Sequence, residues 1–285
     1  MRSVWIFLIS GLLAACGPSS PAPDENQAYV QKMAQQHAQD RPAPSPAAQA
    51  APASEVVGRI ETYGNSDGKT LQGYVAYPAS AEGALPGVLM FHEWWGLNDN
   101  IKSMANQLAA QGYAVIAVDM YGGRVAQQPD QAQALMQEAI GKPDAIKANI
   151  QQAYGYLKDH LKAARVGTLG WCFGGSMSFE AGKILGENLG AVVIYYGFVN
   201  GRRDELTALK APVLGLFGGQ DHGISAETVT AFEQGLKALE RSPQIHVYPD
   251  AGHAFANPSG ENYRKADAED AWARTTAFLR EHLQR

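Results

Sequence analysis

From residue 55 onward, short unbroken apolar runs alternate with segments of helical periodicity. The runs are GVLMF (87–91), AVIAVD (114–119), RVGTLGW (165–171), AVVIYYG (191–197) and PVLGLFG (212–218). Each is short and apolar on successive positions, as a strand covered on both faces must be. Ahead of them, VVGRIETYG and LQGYVAYP alternate in polarity around the turn residues Asn65 to Gly68, which predicts an antiparallel hairpin. NIKSMANQLAAQG, KPDAIKANIQQAYGYLKDHL and a last segment over about 261–283, with Trp272, Leu279 and Leu283 on one face, predict helices. Gly, Pro or Asp begins or ends these segments. Strand and helix in alternation behind a leading hairpin predict an α/β fold over 55–285, a three-layer sandwich with a mainly parallel central sheet.

The first 54 residues carry a different pattern. MRSVWIFLISGLLAAC places a basic residue, Arg2, before an apolar run from Val4 to Leu13 and then small residues, which is the order of an export signal. The run falls short of the roughly 20 residues a membrane-spanning helix needs. Leu13-Ala14-Ala15-Cys16 resembles the lipobox of bacterial lipoproteins, which implies a signal over 1–16, lipidation of Cys16, attachment to a membrane and a periplasmic face of the cell envelope. An ordinary secretory signal that contains a cysteine is the alternative. Residues 17–54 are rich in Pro, Ala and Gln and lack a core-forming period, so they read as a flexible tether of roughly 35 Å. Within it, NQAYVQKMAQQHAQ forms at most a weak helix with a thin apolar face.

Composition narrows the function. A chain of 285 residues, 46% hydrophobic and 18% charged, has material for a large core. A formal charge of -5 without a long basic run argues against a nucleic-acid partner. Oligomeric state is not legible. The chain has two cysteines; if Cys16 is lipidated, Cys172 has no disulfide partner in its own chain. Deep burial as an inert thiol explains such a residue, and so does chemistry.

The sequence around Cys172 favours chemistry. Gly170-Trp171-Cys172-Phe173-Gly174 fits G-x-nucleophile-x-G, in which a strand breaks sharply into a helix and thrusts one side chain outward. In parallel sheets, ligands gather at the carboxyl ends of strands, and the residues after each apolar run are polar and chemically capable. His92, Glu93, Trp94 and Trp95 follow one run, Tyr121 and Arg124 another, Asp221 and His222 a third, and His253 and Phe255 follow PQIHVYPD. Cys172, Asp221 and His253 stand in the order nucleophile, acid, histidine, the α/β-hydrolase order. In this reading His253 activates the thiol and Asp221 orients the imidazole. The backbone N–H groups of Trp94 and Phe173 form the oxyanion hole. Ser176, one helical turn past the elbow, is a rival nucleophile. His222, His246 and the tether residue His37 fit less well as the base. HEWWG begins like a zinc motif, but Gly96 stands where the second histidine belongs, so no metal is expected there. No cofactor is expected either.

From about residue 55 to the end the chain resembles the dienelactone hydrolase (carboxymethylenebutenolidase) family, in HEWWGLNDNIK, VDMYGGR, GWCFGG, GGQDHGI and YPDAGHAF. The resemblance implies an α/β-hydrolase fold with Cys172, Asp221 and His253 as its triad. It also implies that Glu93 contacts the resting thiol and takes its proton when substrate binds. The alternative for Glu93 is a structural carboxylate. Family substrates are small enol lactones bearing a carboxylate held by basic side chains; Arg124 is the candidate here, against the alternative of a solvated surface residue. The position four after the histidine, often arginine in this family, is Asn257. Tyr121, Trp95, Phe255, Trp94 and Trp171 are candidate walls of an apolar pocket. A thiolate leaves a tetrahedral intermediate more readily than an alkoxide, so a cysteine here favours activated esters, lactones or thioesters. A non-catalytic, envelope-tethered binding domain of the same fold is the alternative from another class.

Overall fold

A computed structural model describes residues 23–42, 51–258 and 260–284. Its centre is an eight-stranded sheet: β1 (Val56–Ser66), β2 (Lys69–Pro78), β3 (Gly87–Phe91), β4 (Ala114–Val118), β5 (Val166–Trp171), β6 (Ala191–Tyr195), β7 (Val213–Gly218) and β8 (Gln244–Tyr248). The order across the sheet is β1-β2-β4-β3-β5-β6-β7-β8. β1 and β2 pair antiparallel, as do β2 and β4, and every pairing from β4 to β8 is parallel. All residues of β3 to β7 are buried, which is why they read as unbroken apolar runs. The hairpin turns on Asp67 and Gly68, at φ 51° and 73°, a pair of positive values that matches the twist of the flanking strands.

The helices of the sandwich are α2 (Asp99–Ala109), α3 (Pro129–Ile140), α4 (Pro143–Asp159), α5 (Phe173–Leu185), the short α6 (Arg203–Ala208), α7 (Ala226–Lys237) and α8 (Lys265–Leu283). Local chemistry sets several starts. Asn98 accepts from the Ile101 amide at the head of α2, and Ser225 accepts from Thr228 at the head of α7. Proline opens α3 and α4, where a missing N–H costs nothing. α8 starts at Lys265 rather than near 261, because the chain first turns on itself through Gly260 N–H to Asn257 O and Arg264 N–H to Phe255 O.

The stretch that composition marks as a tether contains structure. Helix α1 (Pro23–Gln36) packs beside α3 and buries Tyr29, Val30 and Met33, and the turn after it buries His37 and Asp40. Three apolar side chains at i, i+1 and i+4 make a narrow stripe, enough here because it lands over the carboxyl end of the sheet rather than on an open face. Residues 1–22, with the signal segment and Cys16, lie outside the described residues.

The contact of α5 with the sheet generates a stability prediction. A Cβ at Gly174 would lie 2.2 Å from the Phe91 carbonyl oxygen and 2.6 Å from that of His92. Gly174→Ala is expected to destabilise the fold by about 1–3 kcal/mol or more, since backbone must move. Gly155→Ala, in α4, meets nothing nearer than Asp159 Oδ2 at 3.9 Å and should gain up to about 1 kcal/mol of helix propensity. Thermal melts check both; equal midpoints would show that α5 has room to shift.

Candidate active site

Cys172 sits where β5 turns into α5, at φ 55° and ψ -118°. A non-glycine residue in that region carries a strain of order 1–3 kcal/mol, held by its surroundings. Glycines make the surroundings possible. A Cβ at Gly170 would lie 2.0 Å from the Gly174 carbonyl oxygen, and one at Gly175 2.4 Å from that of Tyr195. Strand and helix therefore touch backbone to backbone, and the side chain between them projects from the carboxyl end of the sheet.

The other chemical groups arrive on neighbouring strand ends. Asp221 follows β7 and His253 follows β8. His253 Nδ1 lies 2.7 Å from Asp221 Oδ2, while Asp221 Oδ1 accepts from the amides of Gly223 (2.7 Å) and Ile224 (3.0 Å). The carboxylate is thus anchored, and it fixes the proton of the imidazole on Nδ1. His253 Nε2 is buried without a hydrogen bond and lies within 4.8 Å of the Cys172 sulfur. Burial pushes the Cys172 thiol up, but the field of His253, with that of His37, outweighs it and brings the thiol down to about 6. Burial opposes charge on His253 as well, yet Asp221 and the Cys172 charge hold it up at about 10. Asp221 is held low by His253 and the two amides against its own burial.

A further histidine reaches the sulfur from α1. His37 Nε2 is 3.6 Å from Cys172 Sγ, Met33 Sδ is 3.8 Å from it, and His37 Nδ1 is 2.6 Å from Asp40 Oδ2. His37 packs on Trp94 with ring centroids 4.6 Å apart and meets His253 edge-on at 5.2 Å. Its pKa is raised against burial by the bonds to Asp40 and Cys172. The Tyr29 hydroxyl lies 3.0 Å from Ser176 Oγ, which also accepts from the Phe198 amide at 2.9 Å. Sequence reasoning sets His37 aside as a tether residue. The signal it carries is the i, i+3 pair His37 and Asp40 in register with the Tyr29, Val30, Met33 stripe.

The remaining candidates divide. Glu93 is buried, and its Oε2 accepts from Asn257 Nδ2 at 2.9 Å. Burial first, and then the Cys172 charge, push its carboxyl up to about 8. Among the described bonds the sulfur meets Met33 and His37, Asn257 donates to the carboxyl, and Glu93 lies close enough for the Cys172 charge to act on it. Trp94 and Phe173 follow the ends of β3 and β5, and no backbone carbonyl accepts from either amide among the described bonds. Tyr121 stacks on Phe173 at 5.5 Å, Trp95 lies edge-on to Trp94 at 5.1 Å, and Phe255 packs on Tyr196 and Tyr248. All three are buried packing residues. The Arg124 guanidinium is exposed and bound to Glu138 Oε2 at 2.7 Å and to the Tyr121 carbonyl. The two glycines before it are both at positive φ.

A strained turn at Cys172 after β5, with Asp221 and His253 after β7 and β8 of a mostly parallel sheet, is the arrangement of an α/β-fold hydrolase. Residues 71–283 match the model of the dienelactone hydrolase family, and the chain belongs to that family. It is 32% identical over 231 residues to an Escherichia coli protein named "Putative carboxymethylenebutenolidase", covering 76% of this chain and 84% of that one. Among solved structures, a Klebsiella pneumoniae protein described as a "Putative Dienelactone Hydrolase" superposes with a TM-score of 0.71 at 28% identity, covering 79% of this chain and 99% of that chain. A dienelactone hydrolase-like promiscuous phosphotriesterase from metagenomic libraries shares the fold, with a TM-score of 0.72 at 24% identity over 80% of this chain and 98% of that one.

Glu93 offers a test by pH. Its pKa rises from 4.5 to about 8 on folding, so the native state holds the proton more tightly than the unfolded chain. Its contribution to stability is greatest below 4.5 and is lost as pH climbs through about 8. Glu93→Gln, neutral throughout, should melt with a smaller decline between about pH 5 and about pH 8 than the wild type. Parallel melting curves for the two proteins would mean that Glu93 is already ionised at neutral pH.

Proposed function

We propose that this hydrolase cleaves activated carboxylic esters or lactones through a thioester on Cys172. The observation that carries the reading is the left-handed backbone at Cys172, which aims the sulfur at an imidazole whose other nitrogen is held 2.7 Å from Asp221. In acylation the thiolate attacks the carbonyl carbon, and the oxygen takes the negative charge beside the amides of Trp94 and Phe173. The leaving oxygen receives the proton of His253 Nε2. In deacylation the same Nε2 takes a proton from water, hydroxide adds to the thioester, and the acid and the thiolate separate. Asp221 keeps Nδ1–H in place throughout. Glu93 assists by holding a proton that would otherwise neutralise the sulfur, in line with its raised pKa.

Leaving-group chemistry sets the substrate class. A tetrahedral adduct of Cys172 expels thiolate in preference to a plain alkoxide, so only an enolate, phenolate or comparable leaving group completes the step. Both family resemblance and mechanism therefore favour a small lactone or activated ester over a peptide. Substrate entry requires α1 to lift: Met33 Sδ and His37 Nε2 stand 3.8 and 3.6 Å from the sulfur, where a reacting carbon must sit at about 3–3.5 Å.

Hydrolysis of p-nitrophenyl acetate and of an enol lactone by the full chain tests the mechanism. Cys172→Ala should lower turnover by on the order of 10³-fold or more. Undiminished turnover in that variant would remove the thiol from the reaction, and absence of turnover in the wild type would favour a binding domain. For location, we propose attachment through a lipid on Cys16. Cys16→Ser should move the protein from the membrane to the soluble fraction of a bacterial host; unaltered fractionation would exclude the anchor.

A further inference from the structure

Two histidine–aspartate pairs converge on one sulfur. His253 is backed by Asp221 at 2.7 Å and His37 by Asp40 at 2.6 Å, each through Nδ1. Both rings consequently turn Nε2 toward Cys172, and the three atoms Sγ, His37 Nε2 and His253 Nε2 lie within 4.8 Å of one another. All three side chains are fully buried or nearly so. Hydrolysis needs one such pair. The second lies on a segment outside the region of family similarity, residues 71–283.

The donor set has a chemistry of its own. A tetrahedral ion with bonds of about 2.3 Å to thiolate and 2.0 Å to imidazole separates sulfur from nitrogen by about 3.5 Å, and the Cys172–His37 separation is 3.6 Å. Ligating histidines commonly donate their other N–H to a carboxylate, which fixes the tautomer and raises basicity; here both do. His253 Nε2, buried and without a hydrogen bond, is the unpartnered atom that such a ligand would satisfy. Met33 Sδ, 3.8 Å from the thiol sulfur, adds a soft donor on the same side. Thiolate, thioether and imidazole together select thiophilic cations over magnesium or calcium.

We propose that Cys172, His37 and His253 form a binding site for a thiophilic d10 cation, Zn(II) or Cu(I), which exists only while α1 is seated and which latches the hydrolase shut. The proposal rests on the reading of Cys172 as the nucleophile. The metal accepts lone pairs from Sγ and the two Nε2 atoms, and the protons held at those atoms leave to solvent while Nδ1–H stays on each aspartate. No oxidation state changes. Because one ligand comes from α1 and two from the catalytic pair, the bound ion ties the helix to the sheet and removes the nucleophile from use.

The test uses the full chain, with Co(II) as the spectroscopic probe and chelator competition for Zn(II) and Cu(I). One equivalent of Co(II) should give a thiolate charge-transfer band and the intense visible bands of four-coordination. Asp40→Asn, which leaves every ligand in place, should weaken binding by about 10- to 100-fold. His37→Ala should weaken it further and His37→Cys should restore it, which separates loss of a ligand from loss of packing. Met33→Leu should weaken Cu(I) and leave Zn(II) unaltered if the thioether takes part. Ester turnover in the same samples should fall with added Zn(II) and return with EDTA. A charge-transfer band absent from the wild type, or affinity equal in wild type and His37→Ala, would overturn the site while leaving the thioester mechanism standing. Metal binding as expected in a protein without hydrolysis would overturn that mechanism alone.

Discussion

The site depends on how closely the first turn of α5 presses against β3 and β5. At Gly170, Gly174 and Gly175 the distance between backbones leaves no room for a methyl group, and that closeness forces Cys172 into its left-handed conformation. The strain is local and the restraint is not: the turn is held by β3 on one side, by β6 on the other through Cys172 N–H to Tyr195 O at 3.1 Å, and by the apolar core around them. A loop could not hold a side chain in that pose, because nothing would prevent the chain from relaxing to a negative φ. The pose of Cys172 is an outcome of packing.

Burial then sets the chemistry. In a dry cavity an isolated thiolate would be too costly to form, and burial alone would raise its pKa. The opposite outcome, a thiol near 6, follows because two imidazoles face it and each is held by its own aspartate. Glu93 is the counterpart: it lies in the same field without a cation of its own within hydrogen-bond reach, bonds to the neutral amide of Asn257, and keeps its proton up to about 8. One buried centre thus contains a group made more acidic and another made less acidic, and the position of the imidazoles decides which is which.

Much of this was legible in the sequence, for a definite reason. Strands buried on both faces must be continuously apolar, so β3 to β7 declare themselves; the Asp67-Gly68 turn and the glycines around Cys172 are backbone requirements written as residue types. The order of Cys172, Asp221 and His253 is legible from the residues that follow the apolar runs, and the family resemblance agrees with it. What could not be read is where a short amphipathic segment docks. α1 has three buried apolar residues in a Pro- and Ala-rich context, and nothing local distinguishes a helix that rests on Cys172 from a stretch of linker. The partner of Arg124 is unreadable for a related reason: spacing after a strand end places a residue at the rim, but not its pairing with Glu138 on α3. Asn257 stands where the family often has arginine, and it donates to Glu93, a pairing that spacing alone does not reveal.

The seating of α1 bears on how a closed site admits a substrate. Its buried apolar side chains are Tyr29, Val30 and Met33, each contributing about 1.5–3 kcal/mol on burial, and the polar contacts of Tyr29 with Ser176 and of His37 with the sulfur add to that narrow stripe. A ligand shifts the balance between seated and displaced helix only by its differential affinity for the two states. Seated, α1 contributes to the complete burial of Cys172 and so protects a low-pKa thiol that would otherwise be the first group in the protein to oxidise. The proposed lifting of α1 withdraws one imidazole from the sulfur and so raises the thiol's pKa: the thiolate fraction falls while the reactivity of each thiolate rises, and the two effects oppose one another.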